Sequence, residues 1–317
     1  MLILLYPDRF GDLRVVITMR AASLRSFSGH AALPGGKADS KEETPCKGPF
    51  FLSFFLSFFL FFPPSLKTLW RPGEKTDSDW DADKIARREA SEEIGLPEDD
   101  YGLPKPFRIE QLCTLPPSLA RTHLVVTPTV AFLHADRRES SSAGTSDDTA
   151  AEAPLVEDSI IPRLDAREVA AVFSAPFYNF LKADDLPAAP GQTLPEGRWY
   201  DGSWLSWKDQ PWRVHNFYVP VNNQRVSRPR PRRGSAQSEL ADQLEEEREK
   251  EGRFKVWGMT ARVLVDAARV AYGEEPEMEH NLDYGDANII MLADAEGSFA
   301  EIADPPKKEA ETEKGKM

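Results

Sequence analysis

Three glutamates in the stretch Arg88-Glu89-Ala90-Ser91-Glu92-Glu93-Ile94-Gly95 stand at i, i+3 and i+4, a spacing that puts their carboxylates on one side of a helix. Like charges at these separations repel by about 0.2–0.5 kcal/mol per pair unless a cation sits among them. Donors made only of carboxylate oxygen suit the hard divalent ions Mg²⁺ or Mn²⁺. A solvated acidic face on a surface helix would give the same triplet. What weighs toward a ligand is the upstream segment Leu33-Pro34-Gly35-Gly36-Lys37, because paired glycines leave backbone amides and carbonyls open to close approach.

These groups need elements to hold them. Leu2–Tyr6 and Leu13–Met19 are β-rich runs around the turn formers of Pro7-Asp8-Arg9-Phe10-Gly11-Asp12, which predicts a hairpin leading toward the glycine loop. The composition of Asp83–Ile94 predicts a helix, with Gly95 as its left-handed cap. Phe107–Leu115 and Leu124–His134 read as strands, the second nearly all apolar and so expected to be buried. Asp165–Phe173 with Pro176–Leu181 predicts a short strand or helix pair, and the aromatic-rich Trp204–Val221 is expected to return to the sheet. Val256–Ala271 carries the apolar stripe of an amphipathic closing helix ending near Gly273. Asp136–Ala153 and Ser227–Gly252 are polar or charged excursions, and the Lys/Glu-rich end at 303–317 has little to bury.

The chain has 317 residues, 41% of them hydrophobic and 29% charged, an ordinary composition for a soluble protein. A net charge of −13 disfavours a nucleic-acid backbone binder. With only Cys46 and Cys113 no disulfide scaffold is expected. The apolar start Met1–Leu5 stops at Tyr6-Pro7-Asp8, short of a signal peptide.

One segment departs from this average. Phe50–Phe62 reads FFLSFFLSFFLFF and holds eight of the 18 phenylalanines. It is too short for a membrane span of ~20 residues, ends at Pro63-Pro64, and has neither helical nor strand periodicity. Phe, Leu, Ser and Pro can all be written with pyrimidine-only codons, so a retained intron over Cys46–Ala82 is one origin. A genuine partner- or membrane-touching insert and a short span are the others.

The glycine loop and the glutamate helix together resemble the Nudix box. Its glycine is matched by Gly36, and its second half by Arg88, Glu89, Ala90, Glu92, Glu93, Gly95 and Leu96. The first glutamate is Glu42 by spacing or Glu43 by its following Thr44-Pro45. Between Glu43 and Arg88 lie 44 residues where the box has seven, and removing the 37 residues Cys46–Ala82 restores continuous spacing. Upstream, Ile17-Thr18-Met19-Arg20, Leu24-Arg25 and Gly29 with Leu33-Pro34-Gly35-Gly36 are similar to the coenzyme A subgroup of that family, and LCTLPPSLARTHLVVTPTVAFLH and FKVWGMTARVLVDAARVAYGEEPE to its fungal and peroxisomal branch.

The resemblance implies an α/β fold, a Nudix-type α/β/α sandwich with a mixed sheet, over residues 1–292. It implies hydrolysis of coenzyme A or its thioesters to 3′,5′-ADP and 4′-phosphopantetheine with Mg²⁺ or Mn²⁺. In that scheme the metal is held by Glu89, Glu93 and Glu43, with Glu92 a further ligand or the group that takes the proton from water. Arg88 is paired with Glu92, while Arg20, Arg25, Gly35 and Gly36 meet the substrate. Another nucleoside diphosphate substrate, or a binding protein whose catalysis the insert has impaired, are the alternatives. The final Gly315-Lys316-Met317 resembles a peroxisomal address, so the expected compartment is peroxisome or cytoplasm, with no stable membrane span.

Overall fold

The computed structural model of the chain describes residues 1–21, 29–36, 77–120, 124–136, 154–164, 166–188, 191–207, 209–224, 226–228 and 252–296. Arg25, Glu42, Glu43, Cys46, the phenylalanine-rich run, the body of both polar excursions and the charged end lie outside them.

Hairpin strands β1 (Leu2–Pro7) and β2 (Leu13–Arg20) form as the turn residues require, with Tyr6 opposite Arg14. Asp8 closes the turn by accepting the backbone N–H of Phe10 and Asp12. β3 (Ala31–Ala32) and β8 (Val169–Pro176) flank β2, while β7 (Thr129–Ala135) lies parallel to β1 and pairs antiparallel with β4 (Phe107–Thr114). One parallel pairing among antiparallel ones makes the sheet mixed.

The strand period of two divides its core. Leu2, Leu4, Tyr6 and Val16 face helix α1 (Asp77–Ile94), which contributes Ala86, Ala90 and Ile94 at four-residue intervals. Ile3, Leu5, Val15 and Ile17 face the opposite layer, where helix α3 (Gly258–Tyr272) buries Ala261, Val263, Leu264 and Ala268. The short helix α2 (Val156–Ser159) packs with the first layer, and its Val156 is buried there. The result is the expected α/β/α layering. Among the described residues no helix is long and apolar enough to cross a membrane.

Several elements differ from expectation. α1 begins at Asp77, so 77–82 of the presumed insert are helical; the stretch has no proline or glycine to stop it. Leu124–His134 breaks into β6 (Val125–Val126), paired with β5 (Ser118–Leu119), and β7, because Pro128 cannot donate to a ladder. The aromatic stretch does not rejoin the main sheet. It forms β9 (Tyr200–Trp207) and β10 (Gln210–Pro220), which pair with β11 (Arg253–Trp257) in a separate three-stranded sheet. Val256 and Trp257 therefore end a strand, and α3 starts at Gly258, whose φ of +63° makes the corner. A last helix, α4 (Ala287–Ala295), was not foreseen.

The buried face of the small sheet carries one consequence for stability. His215 is fully buried with Nδ1 3.1 Å from the Tyr200 hydroxyl, and burial, reinforced by the charge of Arg213, pushes it down to about 3. Its folded value lies below the ordinary 6.5, so its neutral form stabilises the fold fully above that value and the contribution is lost as pH falls from 6.5 toward 3. Each pH unit in this window should remove about 1.4 kcal/mol. Chemical denaturation at pH 7, 5.5 and 4 checks this: a His215→Gln chain should lose that part of the slope, and an unchanged slope would exclude His215 as its source.

Candidate active site around Glu89 and Glu93

The C-terminal half of α1 is fixed at both ends of its charged segment. Gly95 takes φ +69° and its N–H donates to Ser91 O, the bond of a left-handed glycine cap, while Leu96 N–H reaches further back to Ala90 O at 3.3 Å. Ile94 and Leu96 are fully buried and lock the cap to the sheet, with roughly 1.5–3 kcal/mol of apolar burial each. Glu89 and Glu93 lie beside the buried stripe of Ala86, Ala90 and Ile94, so both are carried partly into the protein. Glu92, turned about 100° from Glu93 by the helix, is exposed.

The glycine loop meets this edge. Gly35 N–H donates to a Glu93 carboxylate oxygen at 3.1 Å. A Cβ on Gly36 would fall on the Glu89 carboxyl group, and one on Gly35, at φ +153°, would come within 2.7 Å of Met1 Cα. Both glycines are needed for the loop to lie between the first strand and the helix. Leu2 N–H to Pro34 O at 2.8 Å and Thr260 Oγ1 to Ala31 O at 3.3 Å hold the loop to β1 and α3.

Burial, with the charge of Glu89 adding to it, pushes Glu93 up to about 7 against the opposing Gly35 N–H and the charge of Arg20. Arg20 ends β2 at an irregularity in its pairing with β8, and its Nε is buried without a hydrogen-bond partner. Arg88 lies 3.3 Å from Glu89 and 3.5 Å from Glu92, the expected i,i+4 pair plus a second contact with its neighbour.

The structure thus brings together Gly35, Gly36, Glu89, Glu93 and Arg20, and it leaves Glu92 in solvent with Arg88. Among the described residues no three His, Cys, Asp or Glu side chains form a group able to hold a metal ion. Of the expected four-carboxylate set, Glu89 and Glu93 meet the loop, Glu92 is exposed and paired with Arg88, and Glu43 lies outside the described residues.

The chain is similar in sequence to several known proteins. The chain is 28% identical over 285 residues to peroxisomal coenzyme A diphosphatase 1 of Saccharomyces cerevisiae, covering 86% of this chain and 68% of that protein. It is 25% identical over 290 residues to the chloroplastic Nudix hydrolase 22 of Arabidopsis thaliana, covering 90% and 60%, and 23% identical over 275 residues to the mitochondrial Nudix hydrolase 15 of the same plant, covering 87% and 59%. The chain is related to Nudix hydrolases.

No protein-family model matches the chain. A crystal structure of a Nudix hydrolase from Alicyclobacillus acidocaldarius aligns at 18% identity and a TM-score of 0.29, over 57% of this chain and 79% of that one. The chain spans 59–68% of the length of the named relatives from yeast and Arabidopsis.

In this Nudix relative the contacts missed by sequence reasoning are backbone ones: the Gly35 N–H on Glu93 and the packing of Met1 behind Gly35. No side-chain pattern signals either. Cys113 is partly buried, and burial pushes its thiol up, in keeping with a packing role. His30 packs against Trp257, ring centroids 4.9 Å apart.

Gly36→Ala tests the contact directly. The added methyl must displace the Glu89 carboxyl, and a shift of ~1 Å at a reacting site costs ~10²-fold in rate. kcat/KM should fall by that order while the circular dichroism spectrum and melting temperature stay near those of the parent. Unchanged kinetics would separate Gly36 from the reaction.

Proposed function

We propose that this chain is a divalent-metal-dependent diphosphatase that splits the diphosphate of coenzyme A or its thioesters. The observation that carries the reading is the meeting of Gly35 and Gly36 with Glu93 and Glu89, although 44 residues separate Glu43 from Arg88 in sequence.

The donor set fits a hard cation. Two carboxylates share one edge of the helix, and one is driven toward neutrality by burial and by its neighbour's charge, a situation that a positive ion would reverse. Glu89 and Glu93 would hold Mg²⁺ or Mn²⁺, which keeps several waters when carboxylates supply few ligands. When bound, such an ion offsets diphosphate charge and lowers the pKa of water.

The remaining work belongs to the chain. Arg20, whose charge acts on Glu93 and whose buried Nε has no hydrogen-bond partner among the described residues, would bind a phosphate oxygen, a reading these observations support. Gly35 and Gly36 let the backbone approach the substrate, and Arg88 positions the Glu89 carboxylate. Glu92, exposed one helical step away, accepts the proton from the attacking water rather than sharing the cation. Arg25 and Glu43 complete the proposal from the sequence side.

The relative from yeast bears the name of a coenzyme A diphosphatase, and this supports the substrate and, more weakly, a peroxisomal setting. The test is a substrate panel of coenzyme A, NADH and ADP-ribose with and without Mg²⁺, with products resolved by chromatography. Coenzyme A should be cleaved fastest, to 3′,5′-ADP and 4′-phosphopantetheine, and chelation should stop it. Preference for ADP-ribose or NADH would sink the substrate assignment, and binding without turnover would favour a ligand-binding role.

A further inference from the structure

The outer face of the small sheet bears a cation on an aromatic platform. In the β10–β11 register Tyr218 stands opposite Lys255 and Asn216 opposite Trp257. The Lys255 ammonium lies 5.3 Å from the Trp257 ring centre and 5.8 Å from that of Tyr218. Lys255 is exposed, and among the described residues its ammonium makes no ion pair or hydrogen bond. On the same face Asp201, opposite Asn216, fixes the tyrosine: it accepts from the Tyr218 hydroxyl at 3.0 Å and from Asn216 Nδ2 at 2.7 Å, and its charge is met by Arg198 at 3.5 Å. Beyond Trp257, Gly258 faces open space.

This face is tied to the candidate active site. Trp257 packs on His30, and Thr260 bonds to Ala31. Ala31 is four residues from Gly35, a reach of at most ~14 Å along extended chain. In a protein of charge −13, an uncommitted cation at that range favours an anionic ligand.

We propose that Lys255, Trp257 and Tyr218 form the subsite for the phosphorylated nucleoside end of the substrate, Lys255 taking the 3′-phosphate and the aromatic rings the adenine. The assignment rests on the diphosphatase reading above. An exposed ammonium holds an aromatic ring more weakly than it holds a phosphate. Lysine therefore swings on its flexible stem to the anion and uncovers rings on which a base stacks.

Binding of 3′,5′-ADP and of 5′-AMP, which lacks the 3′-phosphate, tests this by calorimetry on the full chain. The wild type should prefer 3′,5′-ADP, and Lys255→Met should lose about tenfold of that preference, with Lys255→Arg restoring most of it. Trp257→Leu should weaken both nucleotides together. The ratio of KM for coenzyme A to that for 3′-dephospho-coenzyme A should move in parallel in Lys255→Met. A wild type without preference, or a Lys255→Met chain that keeps it, overturns the subsite. A wild type that shows the Lys255-dependent preference yet cleaves no coenzyme A overturns the diphosphatase reading and leaves the subsite standing.

Discussion

Glu93→Gln should lower turnover by on the order of 10²–10³-fold while making the metal-free protein more stable above neutral pH. Both effects come from one carboxylate. Its folded value, about 7, lies above the ordinary 4.5 because burial and the charge of Glu89 outweigh the Gly35 N–H and Arg20. A raised value in the folded state means that the protonated form stabilises the fold in acid, and that this contribution is lost as pH rises from 4.5 through 7. Keeping Glu93 ionised at pH 8 costs roughly 3 kcal/mol by that difference. Glutamine removes the charge and still accepts the Gly35 N–H. In a chelator the variant should therefore melt higher than the parent at pH 8 and alike at pH 4.5, and the stabilisation of the parent by added Mg²⁺ should shrink in it. Near-normal coenzyme A cleavage by the variant would sink the site, and parallel melting at both pH values would sink the electrostatic account.

How much of this was legible in the sequence depended on how local the cause was. The helix at Asp83–Ile94, its Gly95 cap and the Arg88–Glu92 pair follow from spacing within two turns, and all are present. The meeting of Gly36 with Glu89 was legible through motif spacing once the excess length was removed. The exposure of Glu92 was not, because i, i+3, i+4 names a face without saying where burial ends on it. α1 starts six residues earlier than expected because 77–82 had been assigned to the insert, although nothing in that stretch stops a helix. The small sheet was missed for a different reason: β10 pairs with β11 across an intervening stretch of more than 30 residues, and alternation in Trp204–Val221 specifies a strand without specifying its partner. Val256 and Trp257 fit a helical stripe as well as a strand end, and the Gly258 backbone decides between them.

The largest stability effect should come from the far end of the chain, where α4 is pinned by a buried charge. Asp286 has no exposed side-chain surface and its carboxylate lies 2.8 Å from Arg262 Nη1, held by charge and proximity rather than by an aligned hydrogen bond. Its other oxygen accepts Leu119 N–H at 2.8 Å, its own N–H donates to Pro117 O, and Arg262 Nη2 donates to Gly285 O at 2.6 Å. Leu119 then packs on Ile289 and Ile290. Burial pushes Asp286 upward and Arg262 opposes it; without the aspartate the guanidinium would lose its 2.8 Å carboxylate partner and keep the Gly285 carbonyl, the Trp212 ring and the charge of Asp266. Asp286→Ala should therefore cost about 3–5 kcal/mol, whereas Arg262→Met with Asp286→Leu, which replaces the pair by apolar bulk, should recover most of the loss. Equilibrium denaturation gives the energies, and amide exchange should place the early opening in 117–119 and α4. A single variant within 1 kcal/mol of the parent would show that water reaches Arg262 and that the pair does not hold the two segments together.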